Sequence, residues 1–490
     1  MNSNSQSSKS RKQKLPGLDI IHLCVIAAVL VSMIPGNIYA TGVLLGLALF
    51  SLIGPKQVVY TVSLLTVIIN LNTNLVMEPP SRLGLVRWFV IACCFFTSVR
   101  CMAVKQFPAI VITQSALLGF LAILSGLFSY DSTISLMKIT SFFLGSIACL
   151  GVFHCGGISR DDALRWCYNL FAVVLLASFA LAFNPLGYKN IQTVLGTEQA
   201  FIGLFNRPND IGTFISLNLG WLIPKMLIAK QRTWPDVLLA CVAFSFVFMS
   251  RARGPVLVIG VTTIMFFATS LLVTSTWRGR ARKVLFNRVT VVGAIALSAV
   301  IAWKHEVLLE KASAFLTKNE ASLIDSIDDR LGGMQYQVEN VKKYPFFGLG
   351  FGIDTFPEWW ISQSGKITYD PLFKFPISAS SEKGSAVVSL LEENGIIGFI
   401  AIILAWGSFL VYIIKHGDSL SMILFFAAMA VNLTEFIMCS VGGLGLYMWL
   451  MVGMSLAPVN ENTRSLYLFD YRQPAIAEKS PRTSRRRQFA

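Results

Sequence analysis

The chain has 490 residues, of which 54% are apolar and only 14% charged, with a mean hydropathy of +0.63. This composition excludes a soluble globular protein, and repeated runs of roughly 20 apolar residues have the length that crosses a bilayer core as a helix. The 41 Lys and Arg against 26 Asp and Glu give a net charge of +15, which suits anchorage against an anionic lipid leaflet.

Residues 1–16 form a polar tail in which Lys9, Arg11, Lys12 and Lys14 precede the first apolar run. That run reads as a retained span and not a removed signal, because no small-residue cleavage site follows it and a second run begins almost at once. Over 17–303 the apolar runs centre on Ala27, Leu45, Thr66, Cys94, Gly119, Gly145, Val174, Leu219, Ala243, Thr263 and Ile295. A mostly polar stretch follows at 304–385. Three further runs, centred on Ile400, Ala427 and Leu450, occupy 386–458, and a basic tail fills 459–490. Runs rich in Leu, Ile, Ala and Phe satisfy their backbone groups in lipid as helices and not as barrel strands. The expected fold is an all-α integral membrane protein of about 12 to 14 transmembrane helices with one large periplasmic loop.

Charge sets the expected orientation. With the N-terminus in the cytoplasm, 25 of the 41 Lys and Arg fall in cytoplasmic connections and the two tails, as the positive-inside rule requires of short loops. Nine more sit in 304–385 beside eleven acids, but a loop of that length translocates whatever its charge. Both termini are therefore expected in the cytoplasm and the large loop outside.

The nine cysteines lie in or beside apolar runs, with no Cys-x-x-Cys, and His22, His154, His305 and His416 lack metal-ligand spacing. Neither a disulfide framework, a metal site nor a cofactor is expected. No nucleophile elbow accompanies the histidines. The basic tail lacks the aromatic or structured module of a nucleic-acid binder, so no nucleic-acid partner is expected.

Chemistry is concentrated at the outer ends of the spans. Arg251 and Arg253 occupy Ser-Arg-Ala-Arg-Gly-Pro (Ser250 to Pro255), a short hairpin between two spans. An arginine at a membrane border is costly unless it meets an anion, and its planar fork grips a diphosphate in bidentate fashion; snorkelling to a lipid phosphate is the bland alternative. Residues two apart do not share a helix face, so the two arginines serve different partners. The large loop holds Arg330, then Pro-Phe-Phe-Gly-Leu-Gly-Phe-Gly (Pro345 to Gly352), in which the glycines mark a turn allowing close backbone approach and not a nucleotide fingerprint. Trp359 and Trp360 are candidates to stack on sugar faces, although such aromatics more often pack or anchor. Asn206, Pro208 and Asn209 mark a turn or helix start, with Asn209 or Asp210 a fair N-cap.

Taken together, Gly-Leu-Phe-Asn-Arg-Pro-Asn-Asp-Ile-Gly (Gly203 to Gly212), the Ser250–Pro255 stretch, Arg330 ahead of the Pro345–Gly352 turn, and Leu-Leu-Glu-Glu-Asn-Gly-Ile-Ile-Gly (Leu390 to Gly398) resemble the O-antigen ligase and polymerase superfamily. The resemblance spans roughly Phe201 to Leu410. It implies a glycosyltransferase of the bacterial inner membrane that takes a glycan from an undecaprenyl-diphosphate carrier on the periplasmic side, without metal or nucleotide. The implied partners are that donor, a glycan or lipid-linked acceptor, membrane lipids and a chain-length regulator. Donor-contacting arginines carry over to Arg330 and to Arg251 or Arg253; the Ser-Arg half of the motif favours Arg251, whereas the Arg-Gly-Pro half favours Arg253.

One departure bears on the assignment. Ligases place a histidine about ten residues before the Gly-x-x-Gly that here is Gly395 to Gly398, and this chain has Gly384 there. Glu382 is the carboxylate at that edge able to accept a proton from an acceptor hydroxyl, against a bland reading as a solvated acid beside Lys383. Glu392 and Glu393, at the start of the next span, are expected to face the substrate cavity, where one of them could substitute for Glu382. Inverting transfer needs the departing diphosphate stabilised, the acceptor hydroxyl positioned opposite, and a base. The absent histidine favours a polymerase of O-antigen, capsule or exopolysaccharide. The alternatives are a ligase to lipid A core, or a transporter of small solutes like the bicarbonate-type branch, for which Lys138 and Glu435 are the mid-span charges.

Overall fold

The computed structural model describes residues 18–35, 37–76, 84–193, 196–228, 234–252, 254–272, 337–353, 368–369, 376–378 and 386–458. Thirteen α-helices lie among them: α1 Ile20–Val31, α2 Asn37–Ser51, α3 Pro55–Ile69, α4 Gly84–Lys105, α5 Ala109–Phe128, α6 Ser132–Gly151, α7 Arg160–Ala182, α8 Pro208–Ile228, α9 Trp234–Met249, α10 Gly254–Leu272, α11 Ala386–His416, α12 Ser419–Val431 and α13 Leu444–Ser455. A hairpin of β1 (Tyr188–Thr193) and β2 (Gly196–Phe201) joins α7 to α8, with Tyr188 opposite Phe201. Two short strands, β3 (Thr368–Tyr369) and β4 (Pro376–Ser378), pair within the large loop, which also has a helical stretch at 337–343.

An all-α membrane fold fits this architecture, but the expected 12 to 14 spans do not. Among the described residues, five helices are long and apolar enough to cross a membrane: Gly84–Lys105, Ala109–Phe128, Ser132–His154, Arg160–Ala182 and Ala386–His416. Thirteen of the fourteen expected centres fall inside a helix, and the other, Ile295, lies outside the described residues. The excess arises because apolar turn residues prolong a hydropathy run without prolonging a helix. Met33 and Ile34 belong to the turn after α1, Leu52 and Ile53 to the turn after α2, and Leu433 to the long connection after α12. Proline and aspartate start signals fix where several helices begin. Pro55 opens α3, and the side chains of Asp19, Asp131 and Asp418 accept hydrogen bonds from the first-turn amides of α1, α6 and α12.

The centre of the bundle is α13, all twelve residues of which are buried. A helix apolar on every side needs neighbours on every side, and α3, α6, α8 and α12 supply them. Close approach depends on glycine: an added Cβ at Gly453 would collide with the Cys149 carbonyl, and one at Gly145 would lie 2.8 Å from Val441 Cβ. Its polar atoms are satisfied internally, Tyr447 donating to Asn218 Oδ1 at 2.9 Å and Trp449 to the Met438 carbonyl at 2.7 Å. Outer helices instead present apolar side chains outward, as at Ile38, Leu49, Leu127 and Leu238.

The two ends of the bundle are tied differently. At one end, Arg160 grips Asp418 through two hydrogen bonds of 2.7 Å and reaches Ser421 at 2.9 Å, joining the start of α7 to the cap of α12. Burial alone would raise the Asp418 carboxyl, but the Arg160 guanidinium and the Ser421 amide and hydroxyl outweigh it and hold the carboxyl below its ordinary value. At the other end, the loop-bearing end, backbone bonds stitch non-adjacent connections: Asn72 N to the Leu204 carbonyl at 2.9 Å, Asn206 N to the Asn70 carbonyl at 2.9 Å, and Tyr130 N to the Leu349 carbonyl at 2.8 Å.

Candidate functional site

Two pairs of sequence motifs meet at the loop-bearing end. The first pair is the Asn206–Gly212 stretch and the turn between α9 and α10. Helix α8 begins at Pro208, so Asn209 and Asp210 lie inside its first turn and neither is the N-cap. Asn206 is fixed before the helix starts: its Oδ1 accepts from Thr73 Oγ1 at 2.9 Å, and its carbonyl from Lys189 Nζ at 3.4 Å. One turn into α8, an added Cβ at Gly212 would lie 2.6 Å from Pro255 Cγ and 2.9 Å from Ala252 Cβ. The α9–α10 turn therefore rests directly on the first turn of α8.

Arg251 is exposed in that turn and has φ of 57°, a left-handed conformation unusual for a residue with a side chain. Such a conformation costs about 1–3 kcal/mol and persists where the surroundings over-determine it. Here they do: the Ser250 amide donates to the Phe246 carbonyl at 2.8 Å, the Arg251 amide to Phe248 at 3.1 Å, and Ala252 is buried against α8. Arg253, Arg330, Glu382, Trp359 and Trp360 lie outside the described residues.

A third segment joins this pair. The Asn209 carboxamide donates to Glu435 Oε1 at 3.0 Å, and an added Cβ at Gly254 would lie 2.8 Å from Thr434 Cβ. Glu435 thus sits at the end of the bundle and not in mid-span, in the connection that follows α12. Lys138 likewise belongs to the second turn of α6, where its ammonium donates to the Gly352 carbonyl.

The second motif pair is the Pro345–Gly352 turn and the Glu392–Gly398 stretch of α11. They are joined by five hydrogen bonds. Leu349 N donates to the Glu392 carbonyl at 2.8 Å, Gly350 N to the Glu393 carbonyl at 2.9 Å, Ile396 N to the Pro345 carbonyl at 2.9 Å, and Ile397 N to the Phe346 carbonyl at 3.3 Å. The fifth runs from Gly352 N to Glu393 Oε2 at 2.7 Å. These bonds exist because α11 breaks at Gly395, with φ 60° and ψ −173°, a conformation open essentially to glycine. The break frees the Glu392 and Glu393 carbonyls for the incoming turn. An added Cβ at Gly395 would collide with the Phe346 carbonyl, and one at Gly348 with the Glu393 backbone.

Glu392 and Glu393 were expected to face a substrate cavity, and the structure places them elsewhere. Glu392 is fully buried and accepts from Asn340 Nδ2 at 2.8 Å, and Glu393, 3% exposed, accepts from the Gly352 amide. Both carboxylates hold the loop to α11.

Sequence reasoning passed over Arg87 and misplaced Glu435. Arg87, in the first turn of α4, stacks over Trp88 at 5.2 Å and donates weakly to the Gly442 carbonyl at 3.4 Å, beside the Asn70–Gly443 contact. Its signal was a guanidinium placed inside an otherwise apolar run. Among the described residues, no group of three His, Cys, Asp or Glu is arranged to hold a metal ion. Comparison of the chain with models of protein families and with curated proteins gives no match.

Proposed function

We propose that the chain is a membrane glycosyltransferase that polymerises undecaprenyl-diphosphate-linked glycan repeat units on the outer face of a bacterial inner membrane. The observation that supports this reading is the junction at the loop-bearing end of α8's first turn, the Arg251 turn and the Glu435 connection, three segments far apart in sequence. In this reading, Arg251, with Arg330 and with Arg253 as the alternative to Arg251, takes the negative charge that develops as the diphosphate departs, through bidentate hydrogen bonds. Asn206 and Asn209 line the donor side, and Glu382 is one candidate for the base. Trp359 and Trp360 stack on the sugars. A polymerase is preferred to a ligase because Gly384 stands where ligases carry a histidine.

A solute pathway through the bundle is less well supported. Lys138 and Glu435, the charges that would have served it, both belong to the loop-bearing end and are engaged there.

The test is substitution of Arg251, Arg253 and Arg330 singly by Lys, with polymer length read from purified full-length protein given lipid-diphosphate-linked repeat units. Arg330 and one of the other two should lose polymer formation at normal protein level, because an ammonium cannot reproduce the fork. Full activity of all three Lys variants would make lipid snorkelling the better account. Chain growth occurring only when lipid A core is supplied would replace polymerase by ligase.

A further inference from the structure

Glu435 is held more firmly than a loop carboxylate needs to be. Its amide donates to the Val431 carbonyl at 3.0 Å and its carbonyl accepts from Ile437 N at 2.9 Å, so the residue closes the end of α12. Three residues earlier, Asn432 braces the same connection, donating to the Ala428 carbonyl at 2.9 Å and accepting from Met438 N at 2.9 Å. Trp449 of the buried α13 then donates to the Met438 carbonyl. The connection is thereby anchored to the most buried helix of the bundle, although Glu435 itself stays half-exposed. Rigid backbone beneath an accessible carboxylate is the arrangement that a proton acceptor needs, since its position must be set before substrate arrives.

Its surroundings are those of the site described above. The Asn209 carboxamide fixes one carboxylate oxygen, Thr434 packs at the glycine that opens α10, and Arg251 stands in the turn just before that glycine. Among the described residues, charged groups on the segments that meet here include Arg207 and Asp210 at the α8 entry, with Lys189 of β1 acting on Asp210, and Arg251 of the α9–α10 turn. On α11 the Glu392 carboxylate accepts from Asn340 and the Glu393 carboxylate from the Gly352 amide, and both are buried, whereas Glu435 is half-exposed.

We infer that Glu435 is the group that takes the proton from the acceptor hydroxyl, an inference that rests on the glycosyl-transfer reading. In the step, the acceptor oxygen bonds to the anomeric carbon of the donor while the bond from that carbon to the diphosphate oxygen breaks. The hydroxyl proton passes to the Glu435 carboxylate, and the lipid diphosphate leaves as an anion facing the arginines. Atoms and charge balance without a metal, oxidant or nucleotide. Asn209 is a positioning residue, orienting the carboxylate through its carboxamide.

The experiment uses purified full-length protein and lipid-diphosphate-linked repeat units extracted from cells lacking this chain, with rates measured across pH. Glu435→Gln should slow polymer formation by about 100-fold or more, the typical contribution of a general base, with KM little changed and unfolding temperature preserved. The wild-type rate should rise with pH as the carboxylate ionises, and that limb should vanish in Glu435→Gln. Glu435→Asp should keep the limb at reduced rate, and Asn209→Ala should lower kcat while retaining it. A Glu435→Gln rate within threefold of wild type, or a slowed variant that keeps the pH limb, would overturn the assignment. If Glu435→Gln is near wild type while the Arg→Lys variants are dead, glycosyl transfer stands and the base is another group. If every Arg→Lys variant is fully active, the glycosyl-transfer reading itself falls, whatever Glu435 does.

Discussion

The Gly352 amide donates to Glu393 Oε2 at 2.7 Å, across 41 residues of sequence, and closes the turn that begins at Pro345 onto the broken helix α11. A carboxylate acceptor makes this a charge-assisted bond, roughly twice as strong as a neutral one. Neighbouring backbone bonds from Leu349 and Gly350 keep its geometry fixed.

Removing that acceptor should loosen the loop. Glu393→Ala is expected to cost about 1.5–3 kcal/mol, because the amide loses a charged partner in a buried place; Glu393→Gln, which keeps an acceptor oxygen, should cost less. Unfolding temperature in detergent measures both, and an alanine variant as stable as the parent would show that the bond contributes nothing.

The helix break itself is open to a paired test. Gly395→Ala forces a side chain into a glycine-only conformation and against the Phe346 carbonyl, so a loss of about 2 kcal/mol or more is expected. Gly407, further along α11, is exposed and has nothing within 4 Å of an added Cβ. Gly407→Ala should be neutral or stabilise by up to about 1 kcal/mol. Equal effects at the two positions would contradict the break.

The Arg160–Asp418 pair predicts a pH dependence of definite sign. Because the folded carboxyl titrates below its ordinary value of 3.8, its contribution is complete above that pH and is lost as pH falls further, through the folded value. Acid scans below about pH 4 should destabilise the parent more steeply than Asp418→Asn. At neutral pH that variant should already be weaker by about 3 kcal/mol, since Arg160 keeps its charge in a buried place without its partner. Parallel acid profiles would rule out the pair as the source.

The orientation expected from the basic short connections is measurable. With the exposed Cys24 and Cys241 replaced, a cysteine at Ser440, exposed at the loop-bearing end, should react with an impermeant thiol reagent applied outside spheroplasts. One at Lys415, exposed at the other end, should react only after permeabilisation. The reverse pattern would put the candidate site in the cytoplasm.

Helix positions were legible because lipid leaves a span one way to satisfy its backbone, and apolar length reports that directly. Span number was not, since Met33, Ile34 and Leu433 look like span residues and belong to turns. The same blurring hid Glu435: the apolar connection 432–443 merges α12 with α13 in hydropathy and makes an end residue look central. Motif pairs were visible as separate pieces, and Gly395 as a glycine. Neither the pairing of Gly352 with Glu393 nor the left-handed Arg251 has a local signature, because each is imposed by a distant segment.

Gly352 and Ala386 are both tied down, the first to Glu393 and the second by its amide to the Asn432 carbonyl at 3.3 Å. The chain between them therefore leaves and rejoins the bundle at two hydrogen-bonded points. Closure entropy grows only logarithmically, so doubling the excursion costs about 0.6 kcal/mol. A change in the length of that segment is therefore cheap for the bundle beneath, whose own hydrogen bonds at Gly352 and Ala386 stay as they are.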